Sequence, residues 1–150
     1  MEYKMERVEA HEQVTAVVRG QVSVEDIAGF LGGVFGEVMA VLGAQGVGPA
    51  GPPFARYEMV EGGFRIEAGF PAAGPVVPAG RVEVSSLPGG EQVQVMHRGP
   101  YAGVAAAWAA AEAWIAEQGL AVAAPPWESY LDGPEVEVPR TLVHIPVRPA

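Results

Sequence analysis

The chain has 150 residues, a formal net charge of −9 and no cysteine. That length suits one domain with a proper core, and the missing thiols exclude disulfides, thiolate metal sites and cysteine nucleophiles. An acidic chain with no basic stripe also argues against nucleic acid as a direct partner.

Val8, Ala10, Val14, Ala16 and Val18 share one parity, so 7–19 is expected to be a strand with one buried face. Ser23 followed by Glu25 and Asp26 reads as a helix start with Ser23 as the cap. Ile27, Leu31, Val34, Val38 and Val41 continue at helical spacing up to Gly43. After a Gly/Pro-rich loop, 54–60 and 64–70 form an expected hairpin around Glu61-Gly62-Gly63. Residues 71–80 read as a connector, and 81–87 and 91–98 as further strands joined at Pro88-Gly89-Gly90. Pro100 opens a second helix ending near Gln118, with Val104, Trp108, Ala111 and Ile115 on one face. A short aromatic strand around Trp127-Glu128-Ser129-Tyr130, closed by an Asp132-Gly133-Pro134 turn, precedes a last strand over 141–147. No apolar run approaches the roughly 20 residues needed to span a bilayer. The N-terminus lacks a signal-peptide core, so the expectation is a cytoplasmic protein with no membrane partner.

The order strand, helix, strand, strand occurs twice. Glu12 to Gly20 resembles Glu91 to Gly99, and Pro52-Pro53-Phe54-Ala55-Arg56-Tyr57 resembles Pro125-Pro126-Trp127-Glu128-Ser129-Tyr130. Phe70-Pro71 likewise corresponds to Ile145-Pro146. The expected organisation is one domain over 1–150, with a first module over about 1–73, a connector over about 71–80 and a second module over about 81–150. A duplicated unit offers a cleft at its seam. In that alignment Tyr57 matches Tyr130, while Ala55 stands where the second copy has Glu128.

Alternation puts Glu128 and Tyr130 on one face and Trp127 and Leu131 on the other. On pattern alone Glu128 reads equally as an exposed strand residue or as the polar anchor of a pocket; the repeat favours the anchor, because only one half carries the acid. Tyr57, Tyr130, Trp108, Met59, Phe70 and His97 are the candidate lining residues, each of which also has an ordinary core reading. Glycine and alanine stripes at Gly29, Gly33, Gly36 and Ala40, and at Gly103, Ala106, Ala107, Ala110 and Ala113, suggest close approach to the helices. His11, His97 and His144 show no ligand spacing, and no metal site, phosphate loop or cofactor motif is expected.

His97-Arg98-Gly99-Pro100-Tyr101, the helix with Trp108 and Trp114, Trp127 to Pro134 and Arg140 to Val147 together resemble the GyrI-like small-molecule-binding domain. This is also the effector-binding domain of AraC-type and MerR-type regulators, built by an SHS2-type duplication. The resemblance implies an α+β fold of duplicated β-α-β-β modules: a curved antiparallel sheet, two helices packed on one side and a cleft at the pseudo-two-fold. It also implies that Glu128 contacts hydrophobic, cationic ligands in that cleft. No DNA-binding segment accompanies the resemblance, so a stand-alone binder is the expectation. The alternatives it carries are a hydrolase of cyclopropanoid or other electrophilic toxins, with Glu128 and Tyr130 as catalytic residues, and a DNA gyrase-modulating protein. A regulator partner and a monomeric or dimeric state stay open.

Overall fold

The computed structural model describes residues 3–133 and 135–150; Pro134 of the expected turn lies outside them. Among the described residues the strands are β1 (Met5–Ala10), β2 (Gln13–Val22), β3 (Phe54–Val60), β4 (Gly63–Pro71), β5 (Glu83–Leu87), β6 (Gly90–Arg98), β7 (Leu120–Val122), β8 (Trp127–Tyr130) and β9 (Arg140–Pro149). The helices are α1 (Ile27–Ala44) and α2 (Val104–Glu117), each entered through a single 3-10 turn, Val24–Asp26 and Tyr101–Gly103. The fold is α+β, as expected.

The chain forms two compact units, one of residues 1–11 with 89–150 and the other of residues 12–88. In the first, four antiparallel strands run in the order β1-β6-β9-β8, with β7 paired to β9. In the second the order is β5-β2-β4-β3. The two orders are the same pattern: β6, β8 and β9 take the places that β2, β3 and β4 take in the other unit. Each edge strand precedes one module in sequence but pairs in the other. The chain between β1 and β2 therefore does not continue as one strand, as the parity of 7–19 suggested; it breaks at His11 and Glu12. Beyond the break Val14 is 46% exposed, while Thr15, Ala16, Val17 and Val18 are all buried, so β2 is covered on both faces.

The first unit's core joins Val104, Ala107, Ala111 and Ile115 of α2 to Val93 and Val95 of β6 and Val143, Ile145 and Val147 of β9. Alternate residues of each strand face the helix, as one buried face requires. Gly119, at φ 72°, ends α2 in the left-handed conformation that glycine adopts without penalty. In the second unit α1 buries Leu31, Val34, Val38 and Leu42, and Phe35 meets Phe70 edge-on at 5.9 Å. Leu42, fully buried, holds the place expected of Val41, which is only half-buried.

Three local expectations change. Ser23 does not cap α1 through its side chain; its hydroxyl donates to the Asp26 carboxylate at 2.9 Å. The glycines of α1 do not mark a close approach: a Cβ at Gly29, Gly33 or Gly36 would meet nothing within 4 Å. Val24–Ala44 is also long and apolar enough to cross a membrane by length and composition alone, with a mean hydropathy of 1.8, although no such run was expected. The glycines and alanines between its larger apolar residues mask that length when only large side chains are counted.

These glycines differ from Gly69 of β4, where a Cβ would collide with the Ala16 carbonyl of β2. Gly69→Ala should therefore destabilise the protein by about 1–3 kcal/mol or more. Gly33→Ala, on an open helix face, should stabilise it by about 1 kcal/mol. Urea denaturation of both variants reads the two opposite signs.

Candidate functional site

β8 pairs with β9 so that Trp127 lies opposite His144, Glu128 opposite Val143 and Tyr130 opposite Thr141. Val143 belongs to the face covered by α2, so Glu128 and Tyr130 face the helix and Trp127 faces away. The second unit has an equivalent register, with Phe54 opposite Gly69, Ala55 opposite Ala68 and Tyr57 opposite Ile66. Ala55 and Glu128 thus hold matching positions. Both are buried, at 0% and 3% exposure, so one copy carries a carboxylate where the other carries a methyl.

The carboxylate is met by neutral donors. Tyr101 and Tyr130 donate their hydroxyls to Glu128 Oε1 at 2.8 and 2.9 Å. Trp108 donates its indole Nε1–H to Oε2 at 2.5 Å. Among the described residues no cationic side chain pairs with Glu128. The Tyr101 and Tyr130 rings meet edge-on at 5.7 Å, and Tyr101 is 43% exposed, so the phenols form the solvent side of the site. The carboxylate is thus held by dipoles, with aromatic rings around it and no counter-charge among the described residues.

His97 contacts the turn that leads into Tyr101. Its Nε2 lies 3.0 Å from the Pro100 carbonyl, which can only accept, so in the neutral ring Nε2 carries the proton and Nδ1 accepts from the Tyr3 hydroxyl at 3.0 Å. Gly99, at φ 124°, turns the chain from β6 into this contact. His97 is 4% exposed.

Of the candidate residues, Glu128, Tyr130 and Trp108 come together, and His97 contacts Tyr3 and the Pro100 carbonyl instead. Tyr57, Met59 and Phe70 lie in the second unit. There Tyr57 meets Phe64 edge-on at 5.8 Å, Phe70 packs on Phe35 and Met59 is 82% exposed. Tyr101 escaped the residue-level reading. Its signal was its place in the Gly99-Pro100-Tyr101 turn, where a phenol leads a helix that carries Trp108 two turns on.

The opposite face of β8 and β9 carries a second polar cluster that spacing did not reveal. Trp127 stacks on His144 with ring centroids 5.0 Å apart and planes at 15°. His144 Nδ1 lies 2.8 Å from Gln92 Oε1, and Nε2 lies 2.9 Å from Ser129 Oγ. Gln94 donates to the same Gln92 oxygen at 2.9 Å. In the neutral ring Nδ1–H therefore donates to Gln92 and Nε2 accepts from Ser129. Burial disfavours the imidazolium and brings His144 down from 6.5 to about 4.

The chain belongs to the GyrI-like small-molecule-binding domain family, whose model matches residues 1–148. Among curated proteins none matches. Among solved structures it is similar to EcmrR in a DNA complex, with a TM-score of 0.86 at 22% identity, covering 99% of this chain and 58% of that one. It thus spans a little over half of the EcmrR chain. The C-terminal domain of EcmrR is matched over the full length of both chains, with a TM-score of 0.80 at 21% identity. SAV2435 bound to tetraphenylphosphonium gives a TM-score of 0.66 at 15% identity, over 99% of this chain and 94% of that one. A hydrolase from Listeria innocua gives 0.68 at 17% identity, over 97% and 92%. At these identities the likenesses show a shared fold.

The depressed His144 value fixes a sign. The unfolded chain takes up this proton near pH 6.5 and the folded chain near pH 4. The neutral ring's contribution is therefore complete above pH 6.5 and is lost as pH falls through the window to about 4. By linkage the loss is on the order of 3 kcal/mol. Imidazole NMR should place the His144 midpoint well below those of exposed histidines, and urea midpoints should fall over the same window.

Proposed function

We propose that the protein binds lipophilic, aromatic cations, with Glu128 as the charge anchor. The observation that carries this reading is the carboxylate itself: 3% exposed, bonded by three neutral donors and unmatched by any cation among the described residues. A polar group at that depth is costly unless something completes its environment. Its counterpart Ala55 is also buried and apolar, so packing at this position does not call for an acid. The aromatic groups suit a flat or globular aromatic cation. Trp108 and the Tyr101–Tyr130 pair offer ring surface, on which a positive charge gains roughly 0.5–2 kcal/mol. A likeness to a fold that holds tetraphenylphosphonium supports the same class of ligand.

A second reading rests on the two phenols that converge on Glu128 Oε1. A carboxylate that can take a proton from water, beside a phenol that can donate to developing charge, is also the equipment for opening an electrophile such as a cyclopropanoid. The likeness to a hydrolase supports keeping this reading beside the first.

One set of variants tests both. Tetraphenylphosphonium should bind the wild-type protein saturably, and Glu128→Gln should weaken it at least about tenfold, the loss of one charge-assisted contact. Triphenylphosphine oxide, aromatic but uncharged, should bind both proteins alike. Equal affinity of the cation for the two proteins would sink the anchor role. Consumption of an electrophilic cyclopropanoid with multiple turnovers, lost in Glu128→Gln and slowed in Tyr130→Phe, would establish the hydrolase instead.

A further inference from the structure

The first unit has a second concavity, on the sheet face opposite α2 and away from Glu128. Tyr3, Lys4, Glu6, Gln94, Met96, Arg98 and Leu142 line a groove of about 570 Å³. That volume is within the ordinary range for small-molecule sites, roughly 300–1,000 Å³. Its floor is apolar, since Met96 of β6 and Leu142 of β9 are direct cross-strand partners and both are half-buried. A methionine floor adapts to ligand shape.

The charge of the groove is unlike that of the chain. Arg98 lies directly opposite Arg140 in the β6–β9 register, and like charges so placed repel. Arg140 is compensated. It forms a two-pronged ion pair with Asp132, Nε to Oδ2 at 2.8 Å and Nη2 to Oδ1 at 3.1 Å, and its backbone N–H also bonds Oδ2. Asp132 feels the field of Arg98 as well, but its hydrogen bonds go to Arg140. Arg98 lines the groove, and among the described residues no carboxylate is bonded to its guanidinium. Lys4 adds a second cation to the lining. Among the described residues its ion pair is with Glu6 at 3.7 Å, exposed and weak. Glu6 also lines the groove and offsets one of the two cations, so the lining keeps a net positive charge on an apolar trough in a protein of net charge −9.

We propose that this groove is a second binding site, for organic carboxylates with an unbranched apolar body. Arg98 holds the carboxylate in a fork, Lys4 reinforces it, and the chain lies over Met96 and Leu142. The guanidinium geometry favours a planar two-oxygen anion. The site is independent of the Glu128 site: it takes the opposite charge, on the opposite face of the same sheet.

Decanoate below its micelle threshold is the probe, followed by calorimetry and by NMR of the whole chain. The expected result is saturable one-to-one binding that shifts the Met96 methyl signal and leaves the Trp108 indole signal in place. Arg98→Gln, an exposed change at a strand end, should weaken binding about tenfold or more, and decan-1-ol should bind wild type no better than decanoate binds that variant. No saturable binding, equal affinity of decanoate and decanol, unchanged affinity in Arg98→Gln, or a shifted Trp108 indole would each overturn the proposal. Because no arm uses Glu128, failure here leaves the cation site standing, and failure there leaves this one.

Discussion

The strand β8 contributes only four residues, and its register against β9 assigns each of them a task. Alternation sends Glu128 and Tyr130 toward α2 and sends Trp127 and Ser129 to the other face. A slip of one residue would put the indole of Trp127 against the helix and the carboxylate against His144. The site around Glu128, the stacked Trp127–His144 pair and the Ser129 contact all depend on that pairing. Trp127, at 3% exposure, is the large side chain that holds β8 down.

Duplication supplied the frame, and asymmetry supplied the chemistry. The paired registers make Ala55 the counterpart of Glu128 and Gly69 the counterpart of His144. Pro71 and Pro146 are likewise equivalent, and their partners are Thr15 and Gln92. Gln92 bonds His144. Thr15, facing no histidine, keeps a buried hydroxyl without a partner among the described residues. One copy thus filled its polar positions with a carboxylate and an imidazole, while the other kept small residues there.

The hairpin of β3 and β4 and both helices were legible, because their apolar spacing and turn residues act locally. The break between β1 and β2 was not. Val8 to Val18 keep one parity across it, and parity says nothing about which strand will be the neighbour. The repeat was also legible, though slipped: sequence matched Gln13 to Gln92, whereas the ladders match Thr15 to Gln92. A slip of two residues preserves every face, and the match of Ala55 to Glu128, carried by β3 and β8, is not slipped. The aromatic acid of β8 stood out on its own strand, while Tyr101 did not, since a phenol at a helix start carries no periodic signal.

Sequence by itself determined the α+β class, the two strand–helix–strand–strand modules and the oddity of one acid in an aromatic strand. These follow from spacing along a few residues at a time. Only tertiary structure decided that β1 pairs with β6 and β5 with β2, that Tyr101 and Trp108 are the groups that reach Glu128, and that Arg98 is left facing Arg140. Each of these depends on which distant strand lies alongside and in what register, and that choice is settled by the packing of whole faces rather than by any local pattern.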